Sequence, residues 1–218
     1  KQDSDVIRFT TGGNGSAALA MTIASTQNVG IGTSNPSAKL HVAGTGKVIL
    51  NGATILADDT KFVDSILISN DASTGTLDSA SKNTGVGDTV FAALTSGDNN
   101  AAFGYRALKS NNSGGSNTAV GYEALQANTS GSHNTAVGIQ ALYNNTTSTF
   151  NCAFGREALR ETTNNVNNNA FGYSALRNNT NNNNNAFGYA ALHANTSGAL
   201  NCAVGHNALN ANTTANNN

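Results

Sequence analysis

Chemistry in this chain would have to come from few residues: two cysteines and four histidines stand among 11 basic and 12 acidic side chains in 218 residues. The histidines fall at unrelated places, and His193 and His206 occupy different points of a repeat described below, so no metal-ligand set is visible. Asp58, Asp59 and Asp64 read either as a carboxylate cluster or as a solvated turn. Gly44-Thr45-Gly46-Lys47 has some letters of a phosphate loop, but the spacing between glycines is wrong and Val48 replaces the magnesium-binding hydroxyl. No Ser, His and Asp set has a motif context, and no carboxylate pair has the setting of a glycan hydrolase. The expectation is a protein that is not an enzyme, with no catalytic residue, no metal and no cofactor.

The elements that would position any of these residues follow from a repeat. Asn117-Thr118-Ala119-Val120-Gly121-Tyr122-Glu123-Ala124-Leu125 returns in close copies that begin at Asn83, Asn100, Asn117, Asn134, Asn151, Asn168, Asn184 and Asn201. Six of the seven intervals are 17 residues and one is 16. A helical repeat needs about 30 residues for its helix pair, whereas one rung of a β-solenoid needs far fewer. The expected fold is therefore all-β: a β-solenoid (β-roll or β-helix) of about eight 17-residue rungs over residues 83–218, preceded by a β-rich region over residues 1–82. At roughly 3.3 Å per residue such a rung has a perimeter of about 55 Å, and rungs ~4.8 Å apart give a rod of about 38 Å.

The held positions say what each rung needs. The asparagines, from Asn100, Asn117 and Asn134 through Asn151, Asn168 and Asn184 to Asn201, are expected to form a ladder, each amide bonding to its neighbours in the stack. Glycine follows four residues later, at Gly104, Gly121, Gly138, Gly155, Gly172, Gly188 and Gly205, where the backbone needs positive φ or a side chain would clash. The Val or Phe before each glycine, such as Val120 and Phe154, is expected to stack as a buried ladder. An Ala-Leu pair closes each copy, and the first copy reads as stretched, Phe91-Ala92-Ala93-Leu94. Under strict alternation Val120 and Leu125 point to opposite faces, so either a corner lies between them or both faces are covered. A small rung rich in Ala and Gly encloses little apolar volume, so packing of several chains, a homotrimer, is expected to bury the second face. The residue after the glycine, as in Tyr105, Tyr122, Ile139, Arg156, Tyr173, Tyr189 and His206, reads as a trimer interface, a surface ladder or a ligand site.

Composition narrows the function classes. Charged residues are 11% of the chain, against about 25% in ordinary domains. Net charge is −1, and residues 83–218 carry five basic and five acidic side chains, so no field exists to attract nucleic acid or an anionic membrane. No apolar run is long enough for membrane insertion. Cys152 and Cys202 share a repeat position three rungs apart, about 14 Å, which is too far for an intrachain disulfide. They read as small buried residues or as partners across a trimer axis. Sequons recur in one turn of the rung, at Asn111, Asn128, Asn144, Asn145, Asn178, Asn195 and Asn212, and are candidate N-glycosylation sites if the chain is made in a glycosylating host. So Asn-rich a sequence produces several by chance.

Residues 1–82 lack the period. Asp5-Val6-Ile7-Arg8-Phe9-Thr10-Thr11 and Asn28-Val29-Gly30-Ile31-Gly32-Thr33-Ser34-Asn35-Pro36-Ser37-Ala38-Lys39-Leu40-His41-Val42 alternate short β runs with Gly and Asn turns. Residues 47–56 read as a hairpin around Asn51-Gly52, while residues 58–82 could be strand or short helix. The block from Asn28 to Val42 resembles the tail-fibre and receptor-binding-fibre proteins of bacteriophages and related viruses. The repeats look like those of the same fibres and of bacterial surface proteins, and are more distantly similar to the left-handed β-roll heads of trimeric autotransporter adhesins. That resemblance implies left-handed winding, extracellular placement and a self-cleaving C-terminal chaperone; nothing after Asn201 looks like such a chaperone.

The function expected is a structural subunit of an extracellular fibre or filament, with the chain itself as partner. The alternative is an adhesin or receptor-binding module for a host surface, with cell-surface glycans as ligands. The regular copy at Asn201 to Leu209 carries no charged or helical cap, so subunits are expected to join head to tail, residues 1–60 docking on the last rungs of the next copy while residues 58–82 cap the other end; the alternative is that more chain follows in the full-length protein and supplies the cap.

Overall fold

A computed structural model describes residues 6–11, 18–31, 34–35, 40–42, 47–50, 53–59, 62–69 and 79–218. The chain forms two compact units, Lys1–Gly46 and Lys47–Asn218. Among the described residues every regular element is a strand.

In the first unit β1 (Ile7–Thr11) pairs antiparallel with β2 (Ala18–Ile23), and β2 pairs antiparallel with β3 (Val29–Ile31). A tight turn joins β2 to β3, with the Gln27 amide donating to the Ala24 carbonyl at 2.8 Å. Strand β4 (Leu40–Val42) then pairs parallel with β3, so the two ends of the Asn28 to Val42 block lie side by side.

The second unit opens with an antiparallel meander, β5 (Lys47–Leu50), β6 (Ala53–Asp59) and β7 (Phe62–Ser69). Leu50 pairs with Ala53 as a hairpin requires; the Asn51-Gly52 turn itself lies outside the described residues. Where residues 58–82 read as strand or short helix, residues 62–69 are strand and residues 70–78 lie outside the described residues; the other edge of β7 turns the sheet parallel, pairing with β8 (Ala80–Ser81) and β9 (Thr84–Val86). From β9 onward the sheet is a parallel β-solenoid of about eight turns, continued by β10 (Ala101–Phe103), β11 (Thr118–Val120), β12 (Thr135–Val137), β13 (Cys152–Phe154), β14 (Asn169–Phe171), β15 (Asn185–Phe187) and β16 (Cys202–Val204). Because the meander joins this sheet, the boundary between units falls at Gly46 and Lys47, whereas residue 83 marks only where the repeat begins.

The turn is built inside out relative to the sequence reading. In each strand from β10 to β16 the middle alanine is the buried one, Ala119 and Ala136 among them, while Val120 and Phe154 are 37% and 38% exposed. The Val or Phe column therefore lines the outer face and is not a buried ladder. A corner lies between Val120 and Leu125: Gly121 has φ +137°, Glu123 φ +56° and Leu125 φ +51°. These left-handed residues break the alternation, so the consecutive pair Ala124 and Leu125 both point inward and both are fully buried. A Cβ on Gly121 would meet the Gly138 carbonyl oxygen at 2.5 Å, because glycine stacks on glycine from turn to turn.

The first copy is not stretched. Phe91 occupies the leucine site, with φ +57° beside +49° at Leu108, and is fully buried. Leu94 donates its amide to the Phe91 carbonyl as Asn111 does to Leu108, so Leu94 stands in the Asn111 column. The larger ring is accommodated because the strand residue facing it is Gly85, where a Cβ would come within 2.8 Å of Phe91. In the 16-residue copy the register survives, Asn169 beside Asn185. There the missing residue is absorbed in the turn after Thr180, where the Asn182 amide donates to the Asn181 side chain at 2.8 Å.

Candidate functional site

Hydrogen bonds between turns run round the whole coil, through the strands, the Ala-Leu segment and the polar turn. At one corner the backbone has no carbonyl to meet, and asparagine supplies the acceptor. The Asn117 amide N–H donates to Asn100 Oδ1 at 3.0 Å, Asn134 repeats this on Asn117, Asn151 on Asn134, Asn168 on Asn151, Asn184 on Asn168 and Asn201 on Asn184. Each Nδ2 also closes its own turn, as Asn117 does by donating to the Gly131 carbonyl at 2.8 Å. Asn168, in the shortened turn, donates instead to Val166 O and Asn151 Oδ1, at 3.2 Å each.

A second asparagine ladder, read from sequence only as turn residues and sequons, runs at the opposite end of the polar turn. Asn128 Nδ2 donates to Asn111 Oδ1 and Asn145 Nδ2 to Asn128 Oδ1, both at 2.7 Å; Asn195 and Asn212 continue it beyond a break at Thr162. The structure thus places four of the sequon asparagines, Asn111, Asn128, Asn145 and Asn195, fully buried with the nitrogen that would carry a glycan already bonded. Asn212 makes the same bonds while partly exposed. Asn144 and Asn178 are half-buried, the former donating to the Glu161 carboxylate and the latter accepting from Arg177. A glycan on the ladder asparagines would displace between-turn bonds and so compete with folding.

Outside the coil the rings stack in step with the turns. Tyr105 and Tyr122 lie 5.2 Å apart, Tyr173 and Tyr189 5.1 Å, and Tyr189 and His206 5.0 Å, with Ile139 and Arg156 completing the column. Stacked in this way the rings present edges and hydroxyls to solvent, so most of them offer no open face for sugar stacking. His133 stacks on Phe150 at the corner before the asparagine. Cys152 is half-buried and Cys202 exposed, both free, and burial pushes the Cys152 thiol up. Among the described residues no three His, Cys, Asp or Glu side chains form a metal-binding group. Residues 44–46 lie outside the described residues.

Beside the aromatic column runs a ladder of charges. Glu123 pairs with Arg106 and accepts from Gln140, and Glu157 pairs with Arg156 and with Arg177 at 2.9 Å. The Arg177 hydrogen bond, ahead of Arg156, holds the Glu157 carboxyl below its usual range. Past Glu157 this column shrinks to Ser174 and Ala190, leaving a shallow groove of about 400 Å³ between Tyr173 and Tyr189 on one side and Arg177 and His193 on the other. The signal was available: the small residues interrupt a run of long ones at one repeat position. Comparison with family models, curated proteins and solved structures finds no match to this chain.

Proposed function

We propose that this chain is a structural subunit of an extracellular fibre or filament, a length of shaft like that of a viral tail fibre or a microbial surface filament. One observation carries the reading. From Thr84 to Val204 the same strand recurs in register with a small residue inward at its centre, and the one shortened turn leaves the stack unbroken. Such uniformity offers length and resistance to unfolding, because each turn is supported by its neighbours.

The finer parts of the proposal are a left-handed winding of 17-residue rungs, a homotrimer, and head-to-tail joining in which residues 1–60 of one copy dock on the last turns of the next. Molar mass of the full chain in solution tests the trimer: three subunit masses support it and a monomer sinks it. Filaments in electron micrographs that disappear on deletion of residues 1–60 support the joining, and discrete short particles from the full chain overturn it. A second reading, recognition of a cell-surface glycan, has the groove at Tyr173, Ser174 and His193 in its favour. Ala190→Trp, which fills that groove, would abolish glycan binding under this reading and leave a shaft unaffected.

A further inference from the structure

Strand register strings one outward column along the second unit: Ile68, Val86, Phe103, Val120, Val137, Phe154, Phe171, Phe187 and Val204. Seven of its nine members are 36% to 72% exposed in the single chain, and Val137 and Phe171 are half-buried. The outward column beside it, from Ile66 through Thr118, Cys152, Asn169 and Asn185 to Cys202, is more than half Thr and Asn, and neither column contains a charged residue. An unbroken apolar column of this length, flanked by an uncharged one, makes this strip an interaction surface.

We infer that further copies of this chain cover that strip, parallel and in register. The occupant is argued from spacing. Phe154, Phe171 and Phe187 follow one another at 5.0 Å, so a partner seats a side chain in every gap only if its own groups recur at the same interval. A second copy has that interval over the full length, and its own strip brings no charge to be desolvated. Size decides between two copies and three. Nine strands at ~4.8 Å, each about 10 Å across, make a strip of roughly 380 Å², about half of the ~800 Å² per partner in a stable interface. A copy that meets two neighbours also engages the flank beyond the glycine corner, where Tyr122, Ile139 and Tyr173 are half exposed and Arg156 is paired with Glu157. Direction rests on the trimer proposed above: three copies packed lengthwise about one axis must run the same way at the same height.

The test uses the full chain with Cys152→Ser and Cys202→Ser, carrying either Val86→Cys or Val204→Cys. These sites are seven strands apart, roughly 34 Å, beyond any disulfide. On oxidation each variant is expected to cross-link to itself, giving dimers on a denaturing gel, and co-assembled mixtures are expected to give no mixed product. Mixed product alone means antiparallel copies and overturns the inference. No product from either variant while the native mass stays trimeric overturns the face but not the trimer, and a monomeric mass overturns both. Because the strip points outward, Phe154→Glu with Phe171→Glu should leave the β circular dichroism intact while dissociating the assembly; a persistent trimer sinks the assignment.

Discussion

At the scale of single residues the turn is governed by backbone sign. Three non-glycine positions in each turn have positive φ, for example Glu123, Leu125 and His133, at +56°, +51° and +58°. Apart from Thr89, none of the residues at these positions is β-branched, as the crowding of a branched Cβ in the left-handed region demands. This explains why the inward position is Leu, or Phe in the first copy, and never Ile or Val. Leu142→Ile is accordingly expected to cost more than about 1 kcal/mol despite equal volume, whereas Leu142→Met costs less than ~1.5 kcal/mol; equal urea midpoints for the two would contradict this. The break in the second ladder provides another test. Asn145 Oδ1 is buried without a partner, and the next residue in its column is Thr162. Thr162→Asn places a donor beside that oxygen and is expected to raise stability by about 1 kcal/mol; a lower urea midpoint would count against the ladder. The first ladder was legible in sequence because asparagine never varies there. Its twin was not, since Leu94 and Thr162 interrupt it and its sequons pointed outward to a different role.

At the scale of elements, the period gave away the parallel stack but not which side of each strand faces in. A three-residue strand between two corners carries one inward and two outward residues, too few for alternation to show its parity. Hydrophobicity favoured Val120, and the narrow interior favoured Ala119. Ala119→Val is therefore expected to overpack the coil and cost ~1–3 kcal/mol, while Val120→Ala leaves monomer stability within about 0.5 kcal/mol. Denaturant melts of the two variants decide it, and the reverse order would return Val120 to the core. The role of β7 was legible only in part. Its apolar run left strand and short helix open, and its position as the seam between antiparallel and parallel pairing depends on Leu67, buried at the foot of the alanine column beside Gly85, a contact between residues that no local pattern links.

At the scale of the molecule the charge ladder ties turns together, and acid should loosen it. Glu157 has its pKa lowered by Arg177, so its stabilising contribution is complete above the unfolded glutamate value of about 4.3 and is lost as pH falls through the lower folded value. Glu157→Gln should flatten the fall in the urea midpoint below that pH, and an unchanged profile would show that the pair adds nothing. Stability in such a stack is a sum over neighbours, so hydrogen exchange should place the effect in the turns around Glu157 and Arg177 and leave β9 to β11 as they were.

The bonds between turns also determine how the second unit meets force. They lie along the stacking direction, so a pull on its two ends loads the turns in series and frees one at a time. A released repeat of 17 residues pays out roughly 58 Å of extended chain, where the folded turn spanned ~4.8 Å. The array is a spool: under tension it lengthens about twelvefold, dissipating work at each turn, and a force-extension trace should rise and drop in evenly spaced teeth.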